Sequence, residues 1–81
     1  MDSRKKLFGQ RLAQTRNIKG LSQRKLSALI GIRGPTIAAY ETEEVWPSVP
    51  TLIALATVLE VSTDWLLGIA DASSTGGDDL D

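Results

Sequence analysis

Apolar residues recur at helical spacing through five short stretches of the chain, and no stretch alternates with the period of two that a strand requires. In the first, residues 4–19, Leu7, Phe8, Leu12 and Thr15 fall at helical spacing with Arg and Gln between them. Gly20 follows where a glycine commonly ends a helix. Ser22 reads as the N-cap of a second helix over residues 23–30, in which Leu26 and Ile30 lie four apart, and Gly31 closes it. The third pattern sets Ile37 and Tyr40 beside Ala38 and Ala39. Proline fits the first turn of a helix and steers the residue before it away from helical backbone. Gly34 therefore reads as N-cap and Pro35 as the first helical residue of a helix over 35–42. After a break at Trp46, Pro47 and Ser48, the residues Leu52, Leu55, Ala56 and Leu59 give a fourth helix starting at Pro50 or Thr51. Ser62 or Thr63 caps a short fifth helix over 64–67, with Asp64 favourably acidic at its start and Gly68 after it.

The pattern predicts an all-α fold, a compact bundle of five helices over residues 1–69. Its core is expected to hold Leu12, Leu21, Leu26, Ile30, Ile32, Ile37, Tyr40, Leu52, Leu55, Ala56, Leu59, Val61 and Leu66. Trp65 reads either as core or as dimer surface. Val45 and Trp46 are apolar residues in a loop and read as partly exposed. Residues 70–81 (ADASSTGGDDLD) are small, polar and acidic, and are expected to form a disordered acidic tail or linker.

The chain of 81 residues is 42% hydrophobic and 23% charged, an ordinary composition for one small domain. It contains no Cys and no His. That removes disulfides, thiolate ligands, the commonest metal ligand and the commonest general base. The acids form no apparent catalytic pair, so no enzyme, metal, cofactor or small-molecule substrate is expected. No window reaches the ~18 apolar residues of a membrane span, and no membrane partner is expected. The net charge of −1 conceals a polarity along the chain. All nine basic residues lie in the first 33 positions, opposed only by Asp2, while residues 34–81 hold nine acids and no base. The first part carries +8 and the second −9. Such asymmetry points either to an anionic partner, such as nucleic acid or a membrane surface, or to two faces that pair with each other.

Two short helices joined by a glycine turn form a helix-turn-helix unit, a weak signal alone. It is strengthened by Arg11-Leu12, Arg16, Gly20-Leu21-Ser22-Gln23, Leu26, Gly31-Ile32, Thr36-Ile37, Tyr40-Glu41, Pro47-Ser48, Thr51-Leu52, Leu55-Ala56, Leu59, Val61-Ser62 and the run 64–68, DWLLG. With these residues the stretch 7–68 resembles the phage repressor/Cro family (XRE-like, lambda repressor-like) of helix-turn-helix DNA-binding domains. The resemblance implies that the third helix enters the major groove of double-stranded DNA while the second crosses the backbone. It also implies a transcriptional regulator, a repressor acting as a homodimer, bacterial or phage-encoded, cytoplasmic and nucleoid-associated.

Carried over residue by residue, base readout falls to Arg33, Gly34, Pro35, Thr36 and Ala39. Phosphate contacts fall to Arg11, Arg16, Ser22, Gln23 and Thr42. Arg16 and Glu41 match a family pair that ties the recognition helix to the first helix. The expected dimer surface is Trp46, Pro47, Leu66, Leu67 and Ile69. Ser27 stands where the family usually has alanine, a position where two helices cross closely.

The sequence departs from the family where bases are read. Gly34, Pro35 and Ala39 have no side-chain donor or acceptor, leaving Arg33 and Thr36 as polar readers. Glu43 stands at an expected glycine, and Glu44, Val45 and Trp46 stand where basic residues are common. These departures keep a second function open: a protein-interaction module derived from a helix-turn-helix, binding a toxin, an antirepressor or a phage regulator.

Overall fold

A computed structural model describes residues 3–70, and these form five helices and no strand. They are α1 (Arg4–Ile18), α2 (Gln23–Ile30), α3 (Gly34–Thr42), α4 (Val49–Leu59) and α5 (Thr63–Leu66). The all-α, five-helix architecture matches the periodicity, with ends shifted by a residue or two. Arg33, not Gly34, is the N-cap of α3, and Pro35 lies in its first turn. The fourth helix starts at Val49 because Ser48 caps it, its hydroxyl accepting from the Thr51 N–H at 3.3 Å. Residues 71–81, where the acidic tail was expected, lie outside the described residues.

Caps divide the chain into short helices. The Ser22 and Ser62 hydroxyls accept from the N–H groups of Lys25 and Trp65, at 2.9 and 3.0 Å. At the end of α1, Gly20 takes the left-handed conformation (φ +71°) and the Leu21 N–H turns back to the Arg16 carbonyl at 3.0 Å. This tight reversal sends α2 away from α1 within a few residues.

The core is built from Phe8 and Leu12 of α1, Leu26 of α2, Ile37 and Tyr40 of α3, Leu52, Leu55, Ala56 and Leu59 of α4, and Leu66 of α5. Leu21, Ile30, Ile32 and Val61, expected inside, are half-buried and pack against it. Phe8 is fully buried, with its ring edge-on to Tyr40 and 5.8 Å from the Trp46 ring. Trp46 thereby fixes the loop between α3 and α4 to the core. Ser27 is buried, and its hydroxyl donates to the carbonyl oxygens of Gln23 and Arg24 within its own helix. Helix α3 packs on both α1 and α2, α2 also on α4, and α5 on α1 and α4.

In the loop after α3 the left-handed residue is Glu44 (φ 53°), while Glu43 ends α3 with φ −112°. A non-glycine residue is strained in this conformation, whereas glycine loses more chain entropy on folding. Glu44→Gly is therefore expected to stabilise the domain by about 0.5–1 kcal/mol and raise the midpoint of a thermal melt by several degrees. An unchanged or lower midpoint would contradict this. Glu60 is likewise left-handed (φ 61°) at the end of α4, but it is paired with Lys19, the residue that caps the end of α1. Its hydrogen bond to Lys19, with the attraction of that charge, holds the Glu60 carboxyl below its ordinary pKa. The contribution of this pair is thus present above the carboxylate range and lost as pH falls through it.

Candidate nucleic-acid interface

Beyond the core packing of Ile37 and Tyr40, one polar network ties the end of α3 to α1 and α2. The Arg16 Nε and one terminal nitrogen donate to the two carboxylate oxygens of Glu41, at 2.7 and 3.1 Å. The other terminal nitrogen donates to the Leu21 carbonyl at 2.8 Å and to the Asn17 side-chain oxygen at 3.3 Å. Gln23 Nε2 donates to the same carboxylate at 2.9 Å. The Arg16 and Glu41 side chains are only 12% and 6% exposed, so this is a desolvated, two-pronged pair and not a surface contact. The hydrogen bond to Glu41 raises the Arg16 pKa above its ordinary value against the opposing pull of burial, and the attraction of the Glu41 charge adds to the rise. One carboxylate thus joins the end of α3 to α1 and to the start of α2.

This network changes the roles of two expected phosphate contacts. Four of the five Arg16 N–H groups are engaged within the protein, one of them by the exposed Asn17 side chain, leaving one for an external anion. Gln23 spends a side-chain N–H on Glu41 and acts as part of the tie. Arg11 also has partners within the fold. Its guanidinium lies 4.7 Å from the centre of the Trp65 ring and donates to the backbone carbonyls of Trp65 and Ala70. It pins the chain leaving α5 against α1, and it orients Trp65. Thr42 is exposed but donates its hydroxyl to the Ala38 carbonyl at 2.8 Å. Ser22 accepts the Lys25 N–H and remains exposed, its own O–H free to reach a phosphate.

Arg33, Gly34 and Pro35 are exposed at the start of α3, and Thr36 and Ala39 are half-buried along it. Among the described residues, apart from its chain neighbours and its own helix backbone, nothing lies within 4 Å of a Cβ placed at Gly34. Arg24 and Lys25 are exposed in the first turn of α2, where helix geometry leaves backbone N–H groups without a partner inside the helix. Of the expected dimer residues, Leu66 is fully buried and belongs to the core, because its side chain closes α5 onto the bundle. Pro47 and Leu67 are half-buried, while Trp46 and Ile69 are exposed.

Gly9 was missed by the reading of the sequence. A Cβ at this position would stand 2.7 Å from the Tyr40 carbonyl oxygen and 2.9 Å from that of Glu41. Only glycine lets α1 approach the backbone of α3 this closely, and the approach sets the distance over which Arg16 reaches Glu41. An isolated glycine inside a helical pattern was the available signal. Among the described residues no group of three or more acidic, His or Cys side chains is placed to hold a metal, and no helix is long and apolar enough to cross a membrane.

Comparison with known proteins agrees with this geometry. The helix-turn-helix family model matches residues 12–66. The HTH-type transcriptional regulator YonR of Bacillus subtilis, derived from the SPbeta prophage, is 39% identical over 61 residues, 75% of this chain and 56% of its own length. The HTH-type transcriptional regulator ImmR of the same organism is 32% identical over 73 residues, 90% of this chain and 58% of its own. This chain thus spans a little over half the length of these curated relatives. Among solved structures, the P22 c2 repressor in complex with synthetic operator 9T superposes with a TM-score of 0.74 at 30% identity, covering 79% of this chain and 97% of the repressor chain. The restriction-modification controller protein C.AhdI from Aeromonas hydrophila superposes with a TM-score of 0.72 at 32% identity, covering 80% and 98%. The chain belongs to the helix-turn-helix family of the phage repressors and HTH-type transcriptional regulators, a family of DNA-binding proteins and not of enzymes.

Proposed function

We propose that the chain is a DNA-binding transcriptional regulator, a repressor, that binds a two-fold site as a homodimer with α3 in the major groove and α2 across the backbone. It would act in the cytoplasm, at the nucleoid. The observation that supports this most is the state of the charges around α3. The Glu41 charge is neutralised by Arg16, with Gln23 adding a hydrogen bond, while Arg24, Lys25 and Arg33 remain exposed at the starts of α2 and α3. Ser22 and the first backbone N–H groups of α2 complete a surface suited to phosphate. Binding to duplex DNA is expected to weaken steeply with salt, by a log–log slope of about −0.9 for each phosphate neutralised. No binding at low salt, or a flat response to salt, would contradict the proposal.

Arg33 is the long donor at the start of α3 and would read guanine through O6 and N7. Arg33→Ala is expected to relax preference at one base pair of each half-site by about 1–3 kcal/mol, measured by selection from a random library. Equal weakening on all sequences would make Arg33 a phosphate contact instead. Trp46, Pro47, Leu67 and Ile69 stay as the proposed dimer surface, with exposed Val49 and Ile53 as apolar neighbours along the start of α4. Sedimentation equilibrium tests this, and a monomer at the concentrations that bind DNA would contradict it.

The bare groove-facing positions Gly34, Pro35 and Ala39 favour a second reading, a module that binds another protein. The salt series on mixed-sequence DNA separates the two.

A further inference from the structure

Helix α5 has four residues, too few to hold a helix by itself. The turn after it carries Leu67, half-buried, and Ile69, 57% exposed, both of the proposed dimer surface. Gly68 in this turn is left-handed (φ +81°), and the Ile69 N–H returns to the Asp64 carbonyl at 2.9 Å. Arg11 ties the turn to α1. One terminal nitrogen of its guanidinium donates to the Trp65 carbonyl and, at 3.0 Å, to the Ala70 carbonyl, while the group lies 4.7 Å from the centre of the Trp65 ring. The two carbonyls stand on either side of residues 66–69, so one side chain of α1 brackets the turn that presents Leu67 and Ile69. Five residues further along α1, about 7.5 Å along its axis, Arg16 holds the end of α3 through Glu41. Helix α1 thus grips the recognition helix with one arginine and the dimer segment with another.

Resting on the dimer reading above, we propose that Arg11 is the positioning residue of the dimer surface. It holds residues 66–70 against α1, so that Leu67 and Ile69 meet the second copy without a prior ordering step. Arg11 touches the segment and not the second copy. Both protomers must present an ordered segment, so the apparent dissociation constant of the dimer rises with the inverse square of the ordered fraction. An ordered fraction of about one third raises it roughly ninefold.

The test compares the wild-type chain with Arg11→Lys and Arg11→Ala at a temperature where circular dichroism shows all three folded. Arg11→Lys keeps a charge for phosphate but loses the planar fork that reaches two carbonyls and stacks on an indole. Sedimentation equilibrium without DNA is expected to show the dimer dissociation constant raised roughly fivefold or more in both variants. Amide exchange is expected to quicken at Gly68 and Ile69 while staying slow at Leu12 and Leu26 in the core. Affinity for a mixed duplex of about 10 base pairs, one helical turn, is expected to change little, since it accommodates a single domain. If Arg11→Ala does not fold, Arg11→Lys decides alone. An unmoved dimer constant in a folded variant overturns the proposal, and so does unchanged exchange at Gly68 and Ile69. Weaker binding of the short duplex by Arg11→Ala, restored in Arg11→Lys with dimerisation unmoved, makes Arg11 a phosphate contact and also overturns it. A wild-type chain that stays monomeric overturns the dimer reading and this inference together.

Discussion

Glu41→Ala is expected to destabilise the domain by about 3–5 kcal/mol, because it leaves the Arg16 charge buried without its partner. The stability of a domain this size is about 4–12 kcal/mol, so the loss is a large part of the whole. Three hydrogen bonds end on the Glu41 carboxylate, two from Arg16 and one from Gln23, and the substitution removes all of them. Arg16→Ala should cost a comparable amount and also free the Leu21 carbonyl in the turn between α1 and α2. The double variant should cost much less than the sum, since each single change chiefly exposes the need of the other residue. Denaturant melts of the four proteins measure this. Additive costs would mean that the two side chains do not depend on each other. Weaker DNA binding should accompany the loss, because the tie holds α3 against both α1 and α2.

Gly9→Ala is expected to destabilise by roughly 1–3 kcal/mol through overpacking, although alanine favours a helix interior by about 1 kcal/mol over glycine. The atoms in the way are backbone carbonyl oxygens of Tyr40 and Glu41, which cannot rotate aside. Relief requires α1 and α3 to separate, and separation lengthens the Arg16–Glu41 contact. Gly9→Val should cost more than Gly9→Ala for the same reason. Thermal melts of both variants test the crossing. A higher midpoint for the alanine variant would show that the helices are not in backbone contact there.

The five helices are legible in the sequence because apolar spacing and punctuation agree: Gly20, Gly31 and Gly68 end helices, and Ser22 and Ser62 begin them, while Ser48 reads as part of a break and is the cap of α4. Ends moved where two cap residues competed, as at Arg33 and Gly34. The pairing of Arg16 with Glu41 was legible only through family resemblance, since residues 25 positions apart carry no local signal of contact. The sequence offers Arg11 for phosphate because an arginine on an early helix looks like a free cation. Its contacts within the fold, with the Trp65 ring and two carbonyls, lie more than 50 residues away and depend on how α5 folds back. The sequence places Leu66 both in the core and on a dimer surface, because a helix of four residues is too short for periodicity to say which side faces inward; the core placement holds. Gly9 was passed over because absence of a side chain shows its purpose only when the neighbouring backbone is in view.

The central claim is that the starts of α2 and α3 form a surface for duplex DNA. A backbone amide-shift titration of isotope-labelled protein with a mixed-sequence duplex at low salt tests it most directly. The largest shifts are expected at residues 22–25 and 33–39, and smaller ones at Leu55, Leu59 and Leu66, which are shielded in the core. Shifts that leave the two helix starts unmoved, or that centre on the exposed apolar residues Val49, Ile53 and Ile69, would contradict the claim.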